Sequence, residues 1–180
     1  LILRPDGTEL MRVAGGMDVE RYTELLDLAL ADTRPVAEIL AGLSLNESPL
    51  SAEDCRRLAY HGFSLETEPA ADEARLAAQL DLAASRCPAT SEVERDRLVV
   101  RAATLALTAE GAGIREGKAA SAQTMARVSS VVELLAASER AAAVADMLFV
   151  LDDRFFTAAQ RAKLLPDDQL QQRWFGAMDR

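Results

Sequence analysis

Aromatic residues make up only 4% of this 180-residue chain, so a core built around large rings is excluded. Alanine is abundant instead, and small side chains let helix backbones approach closely, which favours an α-rich fold. There is a single histidine, and Cys55 and Cys87 are the only cysteines. That is too few, and too widely spaced, for a disulfide framework or a CxxC-type zinc site, and they do not identify a compartment. Long apolar runs are missing as well: "VADMLFVL" falls far short of the roughly 20 residues a membrane helix needs, so no membrane span is expected. Positive charge is in deficit, with 20 Lys and Arg against 29 Asp and Glu and a formal net charge of −9. Such a surface repels phosphate backbones, and no Lys/Arg cluster is interleaved with aromatics, so nucleic acid is not an expected partner.

What remains is a globular composition, 49% hydrophobic and 27% charged, in a length that suits one domain or two small ones. The chain opens on Leu1 rather than Met, in sequence that is already strand-like. It is therefore expected to continue from a longer protein or to follow a processing site, and a signal peptide removed before Leu1 is compatible with that start. Alanine and arginine usage suggests a bacterial source, with the periplasm or the cytoplasm as its compartment.

The first thirty residues differ from the rest. Leu1, Ile2 and Leu3 form a continuous apolar run, as in a strand sandwiched inside a sheet. "RPDG" is a turn in which Pro5 presets its own φ and Gly7 supplies a positive one. In "TELMRVAG" an alternating strand is expected, with Leu10, Arg12 and Ala14 on one face and Glu9, Met11 and Val13 on the other, ended by Gly15 and Gly16. Asp18 is the expected cap of a helix carrying Val19, Tyr22, Leu25, Leu26 and Ala29 on its apolar stripe.

From Asp32 onward the period is helical nearly everywhere. Thr33 is expected to cap a short helix with Pro35 in its first turn, and "GLSLNESP" to be a loop with Gly42 and Pro49 as breakers. Ser51 caps "SAEDCRRLAYHGF", with Asp54 three residues on, and "ADEARLAAQLDLAASRC" is a longer helix stopped by Pro88. The capping box "SEVE" introduces "RDRLVVRAATLALTAEG", and Gly111, Gly113 and Gly117 mark a permissive loop. "SAQTMARVSSVVELLAA" and "SERAAAVADMLFVLDDRF" are the next helices, with Ser138 as the cap between them. Thr157 and Gln160 form a further box, Pro166 stops that helix, and "DDQLQQRWFGAM" closes the chain. Six to eight short helices joined by short loops make a bundle or helical array. The uneven spacing of Ser51, Ser91 and Ser138 argues against a regular repeat.

"LILRPDGTELMRVAG" followed by "DVERYTELLDLAL" resembles the C-terminal ββα half of the thioredoxin fold: an apolar strand, an Asp-Gly turn, a second strand ending at glycine, and a closing helix. The resemblance covers roughly the first sixth of the chain. It implies a partial thioredoxin-like unit over residues 1–32, followed by an all-α domain over 33–180. The Trp-Cys-x-x-Cys motif and cis-proline loop of that family lie before the matched part, so no redox residue is carried over. A redox pair of that kind needs a low-pKa thiolate at a helix N-terminus with a second cysteine close by, and Cys55 and Cys87 are no such pair.

No residue is assigned as catalytic, cofactor-binding or metal-ligating. His61, in "RLAYHGF", has no partner at a ligand spacing and is expected to be structural, or to cap its helix where the dipole favours a cation. Cys55 precedes His61 by six residues and is off its face, so both cysteines are expected to be small hydrophobes or surface thiols. "EGAGIREGKA" has a superficial likeness to a phosphate-binding loop. Five residues separate Gly111 from Gly117 where four are required, and Ala119 replaces the hydroxyl, so a plain interhelix segment is expected. The pairs Asp152–Asp153 and Asp167–Asp168 are expected as solvated caps. The aromatics of "FVLDDRFF" and "RWFGAM" are expected in the core of a late helical pair, with a partner-binding groove as the alternative.

The functional expectation is a C-terminal portion of a thioredoxin-like protein whose helical domain is an interaction module. The alternative is a free-standing helical adaptor with no redox link. No catalysis by this chain alone and no cofactor are expected. The expected partner is another protein or the preceding half of the same one, with homodimerisation through an exposed hairpin edge as a further route.

Overall fold

The computed structural model describes residues 1–13, 19–45, 47–63, 70–148, 151, 153–162, 164 and 167–179. Among the described residues it is mainly helical, 71% helix in 11 helices, with one small antiparallel sheet of two strands. Strands β1 (Ile2–Leu3) and β2 (Glu9–Met11) are joined by the Arg4–Thr8 turn. As the sequence requires, Gly7 has φ +87°; its amide donates to the Arg4 carbonyl, and the Thr8 amide donates to Asp6 Oδ1.

Burial in the hairpin is the reverse of expectation. Leu1 is 68% exposed and Leu3 49% exposed, whereas Leu10 and Met11 are both buried. Consecutive side chains on a strand point to opposite faces. Covering both therefore means that β2, not β1, is the strand enclosed on two sides, and strict in-and-out alternation is lost there. The register slips between Ile2 and Leu3, so the ladder is irregular as well as short.

Helices α1 (Val19–Ala31), α2 (Val36–Leu43), α3 (Ala52–Tyr60) and α4 (Ala70–Arg86) follow. The Asp18 cap and the Gly15–Gly16 stop lie outside the described residues. Pro35, not Thr33, is the N-cap of α2; it has no side-chain acceptor, and its carbonyl instead accepts the Glu38 amide. Gly42 lies inside α2 rather than breaking it. Ser51 caps α3 as expected, its Oγ accepting from the Asp54 amide at 3.0 Å.

The central helix is α5 (Glu92–Ala109). Ser91 precedes it, but with ψ at 48° its backbone is not extended and its side chain makes no cap bond, so the expected box is unformed. The glycine segment is not a loop either. Gly111–Arg115 forms the short helix α6, closed by a left-handed Gly117 at φ +91°. There the Gly117 amide donates to the Ile114 carbonyl and the Lys118 amide to the Gly113 carbonyl, the paired bonds of a Schellman stop.

Helix α7 (Ala122–Ala136) is capped by Ser121. The following segment, expected as one helix, is broken at the buried Val144 into α8 (Ser138–Ala143) and α9 (Ala145–Leu148). Ala137 is the N-cap of α8, so Ser138 lies inside the helix rather than capping it. Helix α10 (Asp153–Arg161) contains Thr157 in its interior, which removes the expected box, and α11 (Asp167–Met178) closes the fold. Among the described residues the helix number exceeds the expected six to eight, because α6 forms where a loop was expected and α8 and α9 divide one expected helix.

Two apolar clusters lie on opposite sides of α5. Leu98, Ala102, Leu105 and Ala106 join one with Met11, Leu25, Leu28, Val36, Leu58 and Leu80. Val100, Ala103 and Leu107 join the other with Val128, Val131, Leu148, Phe155 and Leu170. A helix buried on both sides needs small residues, which explains the alanine-rich, nearly aromatic-free pattern of α5. The hairpin and α1 share the first cluster with α2–α5, so no gap in packing follows residue 32.

Candidate functional site

The hairpin is held at one edge and open at the other. On the β2 side, the Arg12 amide donates to His61 Nδ1 at 3.1 Å, and the Gly62 amide donates to the Arg12 carbonyl. The chain leaving α3 thus completes the β2 edge with its own polar groups. Arg4 adds a second anchor by donating to the Thr33 carbonyl beyond α1. Among the described residues β1 pairs with β2 alone, and Leu1 and Leu3, at and just before β1, are exposed. An unpaired apolar edge on an anchored hairpin is a site where another strand can add.

His61 is the latch of this arrangement and ends α3 as its C-cap. It does so as a neutral ring, not as the cation favoured by a helix C-terminus. Burial pushes its pKa down from 6.5 to about 4, although Glu9, 3.9 Å from Nε2, pulls the other way. Arg12, Arg101 and Arg57 reinforce the neutral state. Its edge contact with Phe63, at 4.6 Å between ring centroids, fixes the plane. In the unfolded chain the ring has its ordinary pKa, so between pH 6.5 and about 4 the unfolded state binds the extra proton. Stability is expected to be full above pH 6.5 and to fall on acidification by at most about 1.4 kcal/mol per pH unit. Glu9, held below its usual range chiefly by its hydrogen bond to Arg12, adds a further loss only below pH 4.5. Urea midpoints at pH 7.0 and 5.0 test this, and His61→Asn is expected to abolish the difference between them.

On the far side of α3, Cys55 and Cys87 are joined in a disulfide, with Cα atoms 5.8 Å apart. Of the two expectations, surface thiols are corrected and a buried apolar role holds, in a disulfide rather than as free cysteines: Cys55 is 0% and Cys87 7% exposed, and both belong to the first core cluster. Sequence reasoning missed the pairing because it asked for a framework of several cysteines. A usable signal was present, since each cysteine continues the apolar stripe of its helix, Cys55 with Leu58 and Ala59, and Cys87 with Leu80, Ala83 and Ala84.

Beside the disulfide, the Asp32–Arg34 turn is wired to α3. Arg34 pairs with Asp32 at 2.6 Å and with Asp54 at 2.8 Å. The fully buried Arg57 donates to the Arg34 carbonyl and lies 3.2 Å from Asp32 in ion-pair contact. Hydrogen bonding by Arg34 holds the Asp32 carboxyl below its usual range. Among the described residues Arg57 Nε and Nη1 have no hydrogen-bond partner, so this guanidinium carries a desolvation cost beside its ion pair with Asp32. A shallow cleft of about 180 Å³ adjoins the network, lined by Arg34, Ile39, Leu43, Leu50, Asp54 and Arg86 among others. Of its charges, Arg34 and Asp54 are paired with each other and Arg86 is bonded to the Leu43 carbonyl, and its lining includes neither cysteine.

Asp153 and Asp167 open α10 and α11, while Asp152 lies outside the described residues. The "EGAGIREGKA" segment follows a helix, and its Glu110 is engaged with Ser121 and Thr124. Phe155, Phe156, Trp174 and Phe175 form a succession of edge contacts, and Trp174 Nε1 donates to the Leu148 carbonyl at the end of α9. This is a core element of the second cluster, frayed at the 55%-exposed Phe175. Among the described residues there is no cluster of three or more metal-binding side chains, and no helix is long and apolar enough to cross a membrane.

Comparison of the chain with family models, with curated proteins and with solved structures gives no match.

Proposed function

We propose that this chain is a protein-interaction module: a helical body that presents a β-hairpin for pairing with a further strand. The observation that carries the reading is the asymmetry of the hairpin. The β2 edge is completed by His61 and Gly62, whereas β1 offers its edge with Leu1 and Leu3 exposed. The resemblance of the first thirty residues to a thioredoxin-type ββα unit supports the preceding half of such a protein as the source of that strand. On that reading any thiol–disulfide chemistry resides upstream, and the helices serve recognition.

One observation favours the second reading, a free-standing adaptor whose hairpin takes a strand from another chain. Helix α2 contacts β2 directly, so the hairpin is packed into the helical body and not only against the helix that follows it. The coding sequence before Leu1 discriminates between them. A Cys-x-x-Cys, and a proline directly before the strand, support the first reading, and their absence supports the adaptor.

Both readings require a competent β1 edge. The isolated chain is expected to self-associate weakly through it at high concentration, and Leu3→Lys to abolish this by placing a charge where a strand must pack. Light scattering showing a strict monomer throughout would count against the edge. An insulin-reduction assay on the chain alone is expected to show no turnover, and robust turnover would overturn the non-catalytic reading.

A further inference from the structure

We infer that Cys55 and Cys87 are a modification site: the pair is oxidised by a disulfide-bearing partner during folding, and the native chain is a client of thiol–disulfide exchange rather than an agent of it. The inference is independent of the β1-edge reading. Its basis is the placement of the two sulfurs.

Cys55 lies in the first turn of α3 and Cys87 immediately beyond the last turn of α4, both buried in the first core cluster with Leu58, Leu80 and Ala83. The surrounding corner is tied by backbone as well as by the crosslink. The Leu50 amide donates to the Arg86 carbonyl at 3.0 Å, and Arg86 Nη1 donates to the Leu43 carbonyl at 2.8 Å. The cleft over this corner ends on Leu50, Asp54 and Arg86, without either cysteine in its wall. Exchange requires a thiolate to reach a sulfur directly, and apolar burial disfavours the thiolate itself. A closed corner of this kind neither gives up its disulfide readily nor acquires one once shut.

Oxidation therefore belongs before α3 and α4 close on each other. In the open chain, the Cys55 or Cys87 thiol loses its proton to solvent, and the thiolate attacks the partner's disulfide, forming a mixed disulfide and releasing one partner thiolate. The second cysteine, deprotonated in turn, attacks the protein sulfur of that mixed disulfide and releases the other partner thiolate. Two protein thiols are oxidised to one disulfide, the partner's disulfide is reduced to two thiols, and closure of the helices seals the product. Such an oxidant is maintained where disulfides persist, which places maturation of this chain in an oxidising compartment.

The test uses the full chain secreted to a bacterial periplasm, purified without reductant and alkylated in urea. The inference expects no alkylated cysteine by mass, and a gain of two alkyl groups only after reduction. It further expects dithiothreitol to reduce the native chain at least about 100-fold more slowly than the urea-unfolded chain, because attack must wait for opening of the corner. Two alkylated thiols in the secreted chain, or native reduction as fast as reduction in urea, would overturn it.

Discussion

The Cys55→Ala/Cys87→Ala double variant is expected to lose about 3–4 kcal/mol of unfolding free energy. The crosslink spans 32 residues in sequence. Loop-closure entropy removed from the unfolded chain scales with the logarithm of that length, which gives a figure of this order. For a chain of this size the loss corresponds to a fall of roughly 6–16 °C in Tm. The site makes the entropic term accessible, because the cysteines are neighbours across closely packed helices and the native state already holds their Cα atoms 5.8 Å apart. Urea unfolding with and without reductant is the check. Reduced wild type is expected to fall close to the double variant, and a midpoint unaffected by reductant would show that the pair does not stabilise the fold.

Phe155→Ala is expected to cost about 3–5 kcal/mol on the opposite side of α5. Phe155 is 0% exposed in the second cluster, with an edge contact to Phe156 at 5.4 Å between centroids. Its helix packs against α5, α6 and α7 within that cluster, so the vacated volume cannot be filled by moving one element. Phe155→Leu, which keeps most of that volume, is expected to cost less than about 1.5 kcal/mol. The readout is the urea midpoint at unchanged slope. A loss below about 1 kcal/mol for the alanine variant would mean that the cluster collapses around the site. Association through Leu3 should survive the substitution, since the hairpin belongs to the other cluster.

The particular residues show where sequence reasoning succeeds. Ser51 and Gly7 were legible because a cap and a left-handed turn are decided by atoms within four residues. Ser91 presents the same kind of signal with a better box, yet its backbone is turned by the Pro88–Ser91 turn before it, and the bond is absent. Val144 breaks an expected helix although neither Gly nor Pro stands there. The break separates α8 from α9, both of which pack against α11. Of the candidate site, the strand-turn-strand pattern was visible, and so was the structural role of His61. Which hairpin edge is closed was not, because that depends on the exit of α3, some fifty residues away in sequence.

The sequence by itself determined a mainly helical chain, a Gly7-centred hairpin at its start, and a small-residue core. Each follows from local sterics or from the period of apolar residues, and these act wherever the rest of the chain goes. Tertiary structure alone decided that β2 rather than β1 is enclosed, that His61 is neutral and grips the Arg12 amide, and that Cys55 meets Cys87. All three depend on which surfaces become neighbours when helices pack on α5, and desolvation, edge pairing and crosslinking are properties of neighbours in space.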